Sequence, residues 1–496
     1  MFLFFYICAL NLPILFEITM RKYFWIIIAP VIFIIFCWMR PLGESIQLNG
    51  MAGIVLWMAI WWFSECVHLA VTSLLPLILV PLCDIASIKE VSKQYGDSII
   101  FLFLGGFLIS IAIEKWDLHK RIARSILKVT GKSTNGLLAG VMIATFLLSN
   151  WISNTATALM MFGVIMALIK ETEHILHKKE HHLLASALML GMAYAASIGG
   201  MATPVGTPPN MYFFKVYPYL LNNSFYISFW KWILFFFPLS LIILFGCFWI
   251  LKILILNKIS TRQIDFKSME IHREFKLTYE EKVVGSVFIF TVILWLTRDI
   301  SFGNIKGWKY LLNHSDYIDD SVVAITSAVL LFIIPSKKNK GQSILEWQDV
   351  KQLKYDILLL FGGGFALAYG FEKSGLMGYL IEPLKSVSDI HPFIIILIIC
   401  IVVVIVSEFA SNIASVQLAL PVISIIALQF ANDISFGIVL SCVLASSVGF
   451  MLPVATAPNT IAYGSGYIPL PFMLKTGFWL DVFCIFTITI YSYFVL

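Results

Sequence analysis

The stretch LLSNWISNTATALMM, Leu147 to Met161, sets Ser149, Asn150, Ser153, Asn154, Thr155 and Thr157 inside an otherwise apolar region. A second run of the same kind, VSEFASNIASVQLAL, spans Val406 to Leu420. Polar groups in hydrocarbon need partners, so each run must be held by something or must hold something. The two runs are in register. One shift of 258 residues carries Ser149 onto Ser407, Ser153 onto Ser411 and Asn154 onto Asn412. It also carries Gly105–Gly106 and Glu114 of FLFLGGFLISIAIEK (101–115) onto Gly363–Gly364 and Glu372 of LLLFGGGFALAYGFEK (358–373). With a small deletion, MATPVGTPPN (201–210) pairs with MLPVATAPN (451–459). Upstream, VTSLLPLILVP (71–81) resembles ITSAVLLFIIP (325–335). An internal repeat of this kind is the mark of a chain built from two related halves.

Composition agrees. The chain of 496 residues is 59% hydrophobic and 13% charged, too few charges to cover a water-soluble surface. Its mean hydropathy of +0.89 is spread over recurrent apolar stretches, which predicts an all-α polytopic membrane protein. The net charge of +5 carries no argument for nucleic acid, because the basic residues cluster in short loops where they report topology. The eight cysteines show no metal or disulfide spacing and read as small core residues.

The expected order of parts is an N-terminal apolar segment and first membrane helix over 1–50, with Met1 to Phe16 an extra or peripheral helix. A first repeat fills 51–250, with a re-entrant hairpin at 136–165 and a broken helix at 183–218. A basic cytoplasmic linker follows at 251–282. The second repeat, 283–496, carries a hairpin at 391–420, a broken helix at 434–468 and a final helix at 472–496. The basic loops 114–132, 177–182, 252–282 and 336–341 face the cytoplasm in this reading. Acidic HSDYIDD (314–320) faces outside, and the halves are inverted. The 114–132 run suits either an amphipathic interfacial helix or a solvated loop.

Pro204, Pro208 and Pro209 cannot sit in an ordinary helix interior, so the backbone must open there, with Asn210 starting the next helical piece. Open helix ends at membrane depth expose carbonyls and N–H groups. Carbonyls with Ser and Asn oxygens suit a dehydrated Na⁺, and N–H, amide and hydroxyl donors suit a carboxylate or sulfate. Ser149 and Ser153, four apart, share a face of one helix, and Asn154 then caps or turns the hairpin tip. Gly199 and Gly200 bring backbone carbonyls near the same ion, or serve close packing. The one carboxylate in these runs is Glu408, expected to be either outside-facing or packed and paired, with structural duty placed above proton relay. A cation held by neutral oxygens calls for a balancing anion, which favours cotransport. Motifs for a metalloprotease, a serine nucleophile or a phosphate loop are absent, so enzyme chemistry is not expected.

WISNTATALMM, SIGGMATPVGTPPN, FGGGFALAYGFEKSGL, EFASNIAS and MLPVATAPNTIAYGSG together resemble the divalent anion/sodium symporter family, from Trp61 to the end of the chain. The resemblance implies two inverted repeats, re-entrant hairpins, a homodimer in the cell membrane and an elevator motion. It implies a first Na⁺ site at Ser149, Ser153, Asn154 and Gly199, and a second at Ser407, Ser411, Asn412 and Ala455. It places substrate carboxylates at Asn154, Thr155, Asn412 and Thr456. The second triplet departs from the family's Ser-Asn-Thr, reading Ser411-Asn412-Ile413, one hydroxyl short. The expected activity is sodium-coupled import of succinate, fumarate or malate. Sulfate, citrate or proton-coupled transport by the same fold is the alternative, and an uncoupled channel a more distant one.

Overall fold

The computed structural model describes residues 22–495 apart from 131–132, 174–175, 221–226, 260–276, 303–304, 315–316, 385–386 and 388. The expected extra helix before residue 17 and most of the basic linker lie outside the described residues. Apolar segments in a bilayer must satisfy their backbone internally, and these do so as α-helices. The one sheet among the described residues is the antiparallel pair Ser301–Phe302 and Ile305–Lys306. Eight helices among the described residues are long and apolar enough to cross a membrane, so the chain is a multi-pass integral membrane protein. Of the cysteines, Cys66, Cys83, Cys247, Cys400, Cys442 and Cys484 are buried and unbridged.

The chain divides into two compact units that cut across the two halves of the sequence. One unit joins the described residues up to Asp97 to Tyr355–Val387. Its helix Tyr355–Lys373 packs on Leu69–Thr72, Leu75–Leu82 and Ile88–Gln94. A Cβ on Gly363 would stand 2.5 Å from the Ser73 carbonyl oxygen, so only glycine lets these backbones touch. The other unit joins Ser98–Lys354 to Ser388–Leu496. There Ser98–Lys115 packs on Asp320–Ile333, and a Cβ on Gly105 would stand 2.6 Å from the Ala324 backbone. Both glycine-marked helices therefore take a partner from the opposite half of the sequence. The 114–132 run forms the helix Leu118–Thr130, held by Arg121, whose guanidinium gives two hydrogen bonds of 2.8 and 2.9 Å to Glu281.

The second unit carries both polar runs. The first lies in a helical hairpin of Thr134–Ser149 and Asn154–Thr172; the second lies in Pro392–Phe409 and Asn412–Ala427. Both second arms outrun the expected limits of 165 and 420, because apolar residues continue past them, and that of the second hairpin carries Pro421 inside it. Each hairpin leads into an interrupted helix. Lys178–Met201 breaks before Pro208–Leu220, and Asn432–Ala445 breaks before Ala457–Gly464. Every residue from Leu184 to Met201 is buried, and many are Ala, Gly or Ser, which lets neighbouring helices approach closely. The packing is reciprocal. Pro208–Leu220 lies on Asn412–Ala427 of the second hairpin, and Ala457–Gly464 lies on Asn154–Thr172 of the first.

Candidate functional site

Ser149 ends one helix, and Ser153 caps the next by accepting from the Ala156 N–H. The two serines do not share a helix face, contrary to the four-residue spacing argument, because the chain turns at Asn150–Ile152. Asn154 opens the second arm and reaches back instead. Ser149 Oγ stands 2.6 Å from the Ala196 carbonyl oxygen and 2.8 Å from Asn154 Oδ1. A hydroxyl has one proton, so one of these two close oxygen approaches has no hydrogen in it. Gly200 sits so near that a Cβ there would lie 2.5 Å from Asn154 Oδ1.

The second half repeats the arrangement. Ser407 Oγ stands 2.8 Å from the Ser446 carbonyl oxygen and 3.1 Å from Asn412 Oδ1. Ser411 caps the following arm through the Ala414 N–H. Gly449 takes the place of Gly200: a Cβ on it would lie 3.2 Å from the Ser407 carbonyl oxygen and 3.3 Å from Ala455 Cβ. Each half thus gathers three oxygens around a single shared proton.

A second twin feature was not read from the sequence. Asn210 lies within the first turn of Pro208–Leu220 rather than at its start, and its amide staples the break. Nδ2 donates to the Gly200 and Thr203 carbonyls at 3.0 and 2.8 Å. Asn459 Nδ2 donates to the Gly449 and Leu452 carbonyls, both at 3.0 Å. The amide oxygens of Asn210 and Asn459 are both buried without a hydrogen-bond partner. The equal offset of each asparagine from its glycine was the available signal. Thr456 caps Ala457–Gly464 through the Asn459 N–H at 3.5 Å and is almost buried; Thr207 is its counterpart beside Gly200.

The halves differ in kind at the matched pair Asn150 and Glu408. Two carbonyls surround the Asn150 amide, which assigns Nδ2 to face them and to donate to Phe146 and Gly199 at 2.8 and 2.9 Å; its backbone carbonyl accepts from Thr203 Oγ1. Gly199 is therefore engaged by Asn150, while Ala196 supplies the carbonyl facing Ser149. Glu408, at the corresponding place, is buried and accepts from the Met451 and Leu452 N–H groups, both at 2.9 Å. Of the two expected placements it takes the packed one, and it holds backbone. Asp481 adds a bond from the Phe450 N–H at 3.3 Å, and Tyr194 Oη donates to the Phe450 carbonyl at 3.0 Å. Thr155 lies in the first turn of Asn154–Thr172, partly exposed beside Asn154.

The family model described as the sodium:sulfate symporter transmembrane region matches residues 21–495. A sodium-dependent dicarboxylate transporter, SdcS, of Staphylococcus saprophyticus is 37% identical over 95% of this chain and 90% of its own length. SdcS of Staphylococcus aureus is 35% identical over 89% of this chain and 85% of its own length. Among solved structures, the YdaH transporter of Alcanivorax borkumensis aligns with a TM-score of 0.58 at 10% identity, covering 82% of this chain and 87% of that one. MtrF of Neisseria gonorrhoeae aligns at 0.53 and 11% identity, covering 82% and 83%. These two likenesses concern the fold alone. Matched from the first described helix to the last, and more than a third identical to curated relatives over most of their length, the chain belongs to the sodium:sulfate symporter family.

Proposed function

We propose that the protein is a secondary active symporter that imports a C4-dicarboxylate, succinate, fumarate or malate, together with Na⁺ across the cell membrane. The observation that carries this reading is the matched pair of oxygen clusters, Ser149–Asn154–Ala196 and Ser407–Asn412–Ser446. Three convergent oxygens with one proton among them favour a hard cation, and unwound backbone beside them is the usual setting for Na⁺ in carriers. The buried, unpartnered amide oxygens of Asn210 and Asn459 add acceptor capacity beside each break. Ser149, Ser153, Asn154 and the Gly199 region bind one Na⁺; Ser407, Ser411, Asn412 and Ala455 bind another. Asn154, Thr155, Asn412 and Thr456 hold the two carboxylates through amide and hydroxyl donors. The names of the relatives support dicarboxylate as the anion class.

The hairpins are re-entrant, the repeats are inverted, and the carrier is a homodimer. Na⁺ binding orders both tips and builds the anion site, after which the hairpins and broken helices move as one body. The reciprocal packing of each broken helix on the other half's hairpin supports a shared site and a joint motion. The test is uptake of labelled succinate into liposomes under an imposed Na⁺ gradient, then under a proton gradient, with sulfate, citrate and fumarate as competitors. Asn154→Ala and Asn412→Ala abolish uptake while the protein stays folded. Ordinary uptake by both variants overturns the assignment, and uptake driven by protons alone overturns sodium coupling.

A further inference from the structure

We propose that Lys354 is the charged anchor of the first hairpin tip and gives the site its preference for a doubly negative solute; this rests on the substrate site proposed above. Lys354 Nζ donates to Ser153 Oγ at 3.4 Å. Ser153 immediately precedes Asn154 and Thr155, so a small swing of the flexible lysine brings its ammonium to a carboxylate held there. From Ser149 to Thr157 the tip itself carries no charged side chain.

The lysine is delivered to this place by an anchored segment. The short helix Trp347–Gln352 is fixed by Asp349, which pairs with Lys115 at 2.6 Å. Just before it, the Ile344 carbonyl accepts from Trp116 Nε1 at 3.0 Å. Both contacts tie the segment to the end of the Ser98–Lys115 helix. The placement is locally unfavourable. Ser153 caps the N-terminus of Asn154–Thr172, whose first turn contains no acidic residue. A helix N-terminus already presents positive partial charge, and a cation beside it is repelled. A local rule broken beside a binding site points to a ligand that repairs it, and an anion does so. Glu114 lies close enough for its charge to interact with Lys354, so it offsets part of this repulsion. A monoanion is satisfied by the neutral donors alone. The second carboxylate of a dianion gains a charge-assisted hydrogen bond from the ammonium.

The experiment compares the wild type, Lys354→Met, Lys354→Arg and Asn154→Ala, full-length and in liposomes. Uptake is measured against succinate concentration and against Na⁺, with monomethyl succinate as the singly charged competitor. Lys354→Met raises the KM for succinate roughly tenfold, the loss of one hydrogen bond to a charged group. It also narrows the preference for succinate over its monomethyl ester, and the Na⁺ half-saturation, relieved of an ammonium on the proposed ligand Ser153, does not rise. Lys354→Arg retains most of the wild-type preference. A KM for Lys354→Met within about twofold of wild type reduces the lysine to a brace for Glu114 and overturns the inference, twofold being well under one such bond. A changed Na⁺ half-saturation with an unchanged KM also overturns it, since the ammonium then acts at the cation site. If Lys354→Met does not fold, Glu114→Gln with Lys354→Met removes the stranded carboxylate and is judged by the same criteria. Loss of uptake in Asn154→Ala with a wild-type KM in Lys354→Met defeats the lysine alone, whereas normal uptake in Asn154→Ala defeats the site.

Discussion

Ser149→Ala and Ser407→Ala form a matched pair of perturbations. Each removes one buried hydroxyl that joins a hairpin tip to the carbonyl of an interrupted helix. In the first half, contacts of 2.6 Å to Ala196 and 2.8 Å to Asn154 are lost; in the second, contacts of 2.8 Å to Ser446 and 3.1 Å to Asn412. Removing one partner and leaving a buried acceptor unmatched costs about 1–3 kcal/mol. The Na⁺-bound state loses a coordinating oxygen besides. If about 2 kcal/mol of this falls on ion binding, the Na⁺ half-saturation rises by about 30-fold, at 1.4 kcal/mol per factor of ten. The assay is succinate uptake into liposomes as a function of external Na⁺, with melting in detergent as a control for folding. Because the two nets repeat each other, the two variants shift by similar amounts, and their combination is worse than either. A Na⁺ half-saturation within about twofold of wild type in both folded single variants, far short of one lost hydrogen bond, refutes the oxygen clusters as cation sites.

Two further outcomes follow from the same geometry. Asn210→Ala and Asn459→Ala each strip the amide donor from the Gly200 or Gly449 carbonyl, while Thr203 and Leu452 keep a backbone N–H, so each variant loses about 1–3 kcal/mol and melting in detergent falls in both to a similar degree. Gly105→Ala forces a Cβ to within 2.6 Å of the Ala324 backbone and lowers the melting temperature, whereas Gly106→Ala, with nothing within 4 Å, leaves it near wild type; equal melting of the two contradicts the glycine contact.

Much of this arrangement is legible in the sequence because the chain states it twice. The polar tips, the proline breaks and the paired glycines announce themselves by register, and the helices appear where the apolar runs lie. The direction of the Ser149 and Ser153 side chains was not legible, because a spacing of four means one face only in an unbroken helix. The turn at Asn150–Ile152 breaks it, and only the folded chain brings Asn154 back onto Ser149. Backbone partners were equally hidden. Ala196 and Ser446 contribute carbonyls, which every residue possesses and no side-chain pattern marks. Lys354 lies some 200 residues from the tip it touches, a separation across which no periodicity reaches. Asn150 and Glu408 occupy one matched position yet bind backbone with opposite polarity, donor in one half and acceptor in the other. The repeat preserves the bracing of the break there, not the residue.

The contact between Gly363 and Ser73 also bears on how the protein is made. A ribosome delivers Ser73 long before Tyr355–Lys373 emerges. During that interval Ser73 lacks the backbone it touches in the finished chain. Gly105 waits in the same way for Ala324. Neither half can finish folding alone, so a chain stopped before Tyr355 is expected to linger as a substrate for insertion factors and membrane proteases rather than as half a carrier.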